Sequence, residues 1–167
     1  MQIRIRESSA VMYIDEFRRL NAGTSFPQVI SEETLNAFGA DVVFEGPQAS
    51  GGTVYQYSQA AGVEQIGGKW YTKHILGPVF TNTPAVGDIP AKTAAENEAA
   101  YKATKDADQA TSVRTSRTDK LKESDWTHTT DSTVANKEAW ATYRQALRDI
   151  TSQVGFPWTI TWPDAPQ

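Results

Sequence analysis

The chain has 167 residues, two histidines, no cysteine and a formal net charge of −4, which is enough length for one compact domain or two small ones. The lack of cysteine excludes a disulfide framework, a thiolate zinc site and a cysteine nucleophile. Lysines and arginines occur only in scattered pairs, which excludes the concentrated positive field that a nucleic acid or an anionic membrane needs, and leaves a protein or small molecule as the expected partner.

The chain opens on Gln2-Ile3-Arg4-Ile5-Arg6, whose alternation of apolar and polar groups predicts a short half-buried strand. It is not the unbroken apolar run of a secretion signal, and no later run approaches a membrane span, so synthesis and folding in a cytoplasm are expected. Asp15 to Leu20 predicts one or two helical turns. Ser31 to Gly39 predicts another short helix, with Ser31 as N-cap, acids in the first turn and Gly39 just past the end. Strands are expected at Val42 to Phe44, Val54 to Tyr57, Val63 to Ile66 and Lys69 to Leu76, with Gly67-Gly68 as a two-residue hairpin turn between the last two. Together they predict a small antiparallel sheet over residues 1–83, its core supplied by Tyr55, Tyr57, Trp70, Tyr71 and Phe80.

After Thr83, Pro84, Gly87 and Pro90 punctuate the chain, and residues 91–110 are rich in Ala, Lys, Glu, Asp and Thr. Tyr101 is the only large apolar residue there, too little for a buried helical stripe. Residues 84–112 therefore read as an Ala-rich linker, either a solvated helical arm or a flexible segment ordered by a partner.

Residues 113–167 read as an antiparallel helical hairpin, two helical stretches around the turn-rich centre of residues 123–133, followed by an extended tail. The second helix, about 133–152, carries Trp140, Tyr143, Leu147, Ile150 and Val154 on one face. Arg144 and Arg148 lie four apart on its flank and repel unless acids face them; Asp119, Glu123 and Asp125 are internal candidates, and a partner's carboxylate is the external one. The arginines could equally be solvated and cover the tryptophan with their stems. The first helix offers only Val113 and Leu121, so the hairpin needs apolar surface from elsewhere. The tail supplies it: Phe156, Trp158, Ile160 and Trp162 recur at period two between Pro157 and Pro163, predicting a strand with one aromatic face. That strand either closes the hairpin core or anchors on a partner.

No catalytic constellation emerges. His74 and His128 are far apart in sequence with no second ligand at a metal-binding spacing, and the glycine-rich stretch around Gly51 and Gly52 lacks the Lys-Ser/Thr ending of a phosphate loop. There is no Gly-x-Ser-x-Gly elbow, and the acids sit on solvated helix faces. The expectation is a protein that is not an enzyme and uses no cofactor.

Arg117, Leu121, the run Ser124-Asp125-Trp126-Thr127, then Trp140-Ala141, Tyr143-Arg144, Leu147-Arg148-Asp149-Ile150, Gly155-Phe156-Pro157 and Trp162-Pro163 occur in an order that resembles the C-terminal domain of phage tail assembly chaperones, also called tail fibre assembly proteins. The resemblance covers about the last 50 residues. It departs from the pattern at Lys120, where an apolar residue is expected. The front of the chain is similar in flavour to N-terminal modules of such proteins. The predicted elements together make an α+β protein, and the resemblance implies one that acts in the cytoplasm of an infected bacterium, binds tail fibre polypeptides and assists their folding and trimerisation, and whose oligomeric state could match a trimeric fibre. An alternative from another class is a structural cap or adaptor retained on the fibre in the virion tail. Together with the aromatic pattern, it directs the partner to Trp126, Arg144, Arg148, Phe156, Trp158 and Trp162.

Overall fold

A computed structural model describes residues 1–129 and 132–167; Thr130 and Asp131, in the turn-rich centre, lie outside the described residues. The fold is α+β, as expected, and divides into two compact units, Met1–Val79 and Phe80–Gln167.

The first unit is built on five strands, β1 (Gln2–Ile5), β2 (Val11–Tyr13), β3 (Ala40–Phe44), β4 (Tyr57–Ile66) and β5 (Lys69–Gly77), in the spatial order β2-β1-β3-β5-β4. The sheet is mixed, which corrects the antiparallel expectation: three of its pairs are antiparallel, but β3 and β5 run parallel, with Val43 opposite Trp70 and Phe44 opposite Tyr71. Parallel pairing needs a long crossover, and residues 45–68, which contain β4, provide it. The stretches around Val54 and Val63 are not two strands. Val54 and Tyr55 lie in a turn, and β4 begins only at Tyr57 and runs on through Val63, with an irregular register between Ala60 and Val63 that interrupts its alternation. Gly67 and Gly68, both at positive φ, make the predicted tight turn into β5.

Two helices, α1 (Ile14–Leu20) and α2 (Glu32–Ala37), cover one face of β1 and β3. Ser31 caps α2 as predicted, accepting from the Thr34 amide. The core is aliphatic as well as aromatic: Ile3, Phe17, Ile30, Leu35 and Ala40 are buried, with Ile5, Met12, Ile14, Phe26 and Val42 against them. The predicted aromatic core does not form, because Tyr57, Trp70 and Tyr71 lie on β4 and β5, away from the helix-covered core, and Tyr55 and Phe80 lie on no strand. Tyr57 is exposed, Phe80 belongs to the second unit, and Trp70 lies under the Arg4 guanidinium at 4.1 Å.

The second unit begins with a strap. Thr83 pairs with Lys92 and Val86 with Ile89, and the strap leads into α3 (Ala94–Glu123), a single helix of 30 residues that crosses position 112 without a break. A capping box opens it: Thr93 Oγ1 accepts from the Glu96 amide and the Glu96 carboxylate accepts from the Thr93 amide at 2.7 Å. Those hydrogen bonds from Thr93 hold the Glu96 carboxyl below its ordinary range. The 91–110 stretch is helical from Ala94, and its polar groups bond within the unit. Asn97 donates to Thr81 O and Thr83 Oγ1, and Phe80 packs on Tyr101 with ring centroids 5.4 Å apart. A short 3-10 turn, Asp125–His128, follows, then α4 (Lys137–Asp149), a second 3-10 turn (Ile150–Ser152) and the tail. No helix among the described residues is long and apolar enough to cross a membrane.

Candidate functional site

The hairpin core consists of Val113 from α3 and Tyr143, Leu147 and Ile150 from the α4 side, the last two fully buried. Leu121, Trp140, Phe156, Ile160 and Trp162 pack around it, so the tail supplies the apolar surface that α3 lacks. Lys120, the departure from the expected pattern, is used here: its ammonium sits 5.6 Å from the centroid of the Trp162 ring, and Arg114 covers Phe156 in the same way at 5.4 Å.

The tail is not a strand, which corrects the period-two reading. Trp158 N and Thr159 N both donate to Gly155 O, at 2.9 and 2.7 Å, curling the chain into a turn at the start of the aromatic run. A side chain at Gly155 would collide with the Thr159 carbonyl, so the turn needs glycine there. The turn sends Trp158 away from the other aromatics: its indole Nε1 donates to Asp106 Oδ1 at 2.6 Å, and Gln109 Nε2 donates to Pro157 O. Further along, Gln153 takes the place of a neighbouring strand, donating to Thr161 O at 2.9 Å and accepting from Thr161 N at 2.7 Å.

The two arginines of α4 part company. Arg144 is only 8% exposed and faces the end of α3, which removes it from the contact edge expected for it. Its Nη1 donates to Leu121 O and Ser124 Oγ, both at 2.7 Å, and its Nη2 to Asp125 Oδ1 at 2.8 Å. Of the three internal acids considered, Asp125 is the partner. This network explains most of the Ser-Asp-Trp-Thr run. Ser124 and Asp125 receive Arg144, while buried Thr127 donates to Ser124 O at 2.7 Å and locks the 3-10 turn. Sequence reasoning missed Ser124 and Thr127 as site residues; their place in the quoted run was the available signal. We expect Arg144→Ala to destabilise the unit by about 2–3 kcal/mol, the cost of leaving a buried carbonyl and hydroxyl without a charged donor, measured as a fall in denaturation midpoint with Arg144→Lys intermediate.

Arg148, one turn further on, is exposed and has no ion-pair partner among the described residues. Trp126 is 54% exposed although the locked turn holds its ring edge-on against Trp140, 5.8 Å between centroids, and Trp140 in turn meets Tyr143 at 5.7 Å. Of the six predicted contact residues, Phe156 and Trp162 therefore lie in the hairpin core, Trp158 and Arg144 are bonded within the unit, and Trp126 and Arg148 face solvent. Trp140, which the Trp126 ring meets, and Arg148 are eight residues apart on α4, about 12 Å along the helix axis.

Such an arrangement defines a helical-hairpin module, closed on itself by its own tail, that presents an aromatic ring and a cation on a rigid frame. Residues 110–167 match the family described as phage tail assembly chaperone protein, which bears out the resemblance read from the sequence. The match takes in the second half of α3, α4 and the whole tail. Comparisons with curated proteins and with solved structures return no match.

Proposed function

We propose that the protein binds a tail fibre polypeptide in the cytoplasm of the infected bacterium and holds it while it folds and trimerises, working by binding alone and without a catalysed reaction or a cofactor. The observation that carries this reading is the exposure of Trp126 on an otherwise closed hairpin. A large aromatic side chain fixed in solvent by a buried Arg144–Ser124–Thr127 frame is a costly feature for folding and a favourable one for association. A fibre subunit exposes apolar surface and unpaired strands before it trimerises, and covering them suppresses aggregation. Arg148 adds a charged group at the rim, where it orients an acidic partner more than it tightens the complex.

Co-expression with the cognate tail fibre should raise the yield of soluble fibre, and the two should co-purify. Unchanged yield with no co-purification would remove the proposal.

A further inference from the structure

Side chains alternate across the five strands, so the face opposite α1 and α2 carries Tyr13 from β2, Gln2 from β1, Val43 from β3, Thr72 and His74 from β5, and Glu45 just beyond β3. These residues, with Ala60 of β4, line an open groove of about 480 Å³ that crosses the sheet. Its size is in the range of ligand pockets, and four strand spacings make it about 19 Å long.

His74 is out of place for a structural histidine. Its side chain is only 8% exposed, and Nε2 donates to Glu45 Oε1 at 2.7 Å, because the carboxylate can only accept. Gln48 Nε2 donates to the same oxygen at 3.1 Å. Nδ1 is buried and has no hydrogen-bond partner among the described residues, whichever protonation state the ring adopts. With Nε2 carrying the proton, Nδ1 is an acceptor that lacks a donor. Glu45 is 69% exposed, its Oε2 carries no hydrogen bond among the described residues, and it is the only carboxylate among the described residues that line the groove. The free oxygen of an accessible carboxylate braced by a buried imidazole, with the exposed Tyr13 ring at the rim, is the chemistry of a receptor for a planar cation with several N–H donors.

We propose that this groove binds a peptide segment through an arginine side chain, whose guanidinium meets the Glu45–His74 pair while flanking residues lie along the trough. The site belongs wholly to the first unit and lies outside residues 110–167, so it stands or falls independently of the hairpin's role.

The test uses the full chain and two probes, a capped short peptide with one central arginine and the same peptide with neutral, isosteric citrulline. The ring resonances of His74 are followed by NMR, with exposed His128 as the internal control. The arginine peptide should shift His74 saturably and leave His128 unmoved. Citrulline should weaken binding about tenfold, the loss of a charge-assisted contact. Glu45→Gln, a change at an exposed side chain, should abolish the difference between the probes. No saturable shift at millimolar peptide, or equal affinity for the two probes, would overturn the proposal.

Discussion

A chain ending at Val154 should lose the cooperative unfolding transition of its C-terminal unit. Phe156, Ile160 and Trp162 are half-buried on the hairpin core, and losing them removes about 1 kcal/mol of hydrophobic stabilisation each, roughly half the value of a fully buried side chain. The bonds from Trp158 to Asp106, from Gln109 to Pro157 O and between Gln153 and Thr161 go with them, at about 1 kcal/mol for each of these contacts. The sum, about 6 kcal/mol, is comparable with the whole stability of a unit of this size, about 4–13 kcal/mol. Thermal denaturation followed by circular dichroism should show this transition lowered by more than about 20 °C or absent. Retention of the full melting temperature together with loss of fibre binding would instead make the tail the gripping element.

Trp126→Ala should separate binding from folding in the opposite sense. The ring is more than half exposed and touches the hairpin edge-on, so its removal should change stability by less than about 1 kcal/mol. Fibre binding should weaken by about 2 kcal/mol, roughly 30-fold, as expected for an aromatic anchor. Arg148→Ala should cost less, about 0.5–1 kcal/mol, and mostly at low salt, because a rim charge acts over a screened distance. Binding titrations beside melting curves check both. A Trp126→Ala protein that binds normally would place the contact elsewhere on the molecule.

The parts of the fold that were legible in the sequence are those decided by short-range chemistry. The alternation of Ile3 and Ile5 with Arg4, the Ser31 cap, the Gly67-Gly68 turn and the stripe from Trp140 to Ile150 each rest on a few adjacent residues, and each is present, whereas Val154, the last residue expected on that stripe, lies past the helix end and is exposed. The family of the C-terminal segment was legible too, because its ordered run of Trp, Arg, Gly and Pro positions is specific.

What failed depended on partners distant in sequence. The parallel pairing of β3 with β5 follows from a crossover that no local pattern encodes. The first half of α3 is the largely solvated helix that its lack of an apolar stripe suggested, but the hydrogen bonds by which Asn97, Asp106 and Gln109 reach the strap and the tail were not legible. Period two in the tail suggested a strand, but the Gly155 turn sends Trp158 to Asp106 and the other aromatics to the core.

By itself the sequence determined the fold class, the local caps and turns, and the chemical character of the hairpin's surface, because these follow from residue type and spacing. Only the tertiary structure decided which groups are free to act. Arg144 and Arg148 are indistinguishable by pattern, four residues apart on one flank, but the end of α3 closes over Arg144 with a carbonyl, a hydroxyl and a carboxylate and leaves Arg148 in solvent. Burial and hydrogen-bond satisfaction belong to the packed molecule, where a side chain's role is set by what surrounds it.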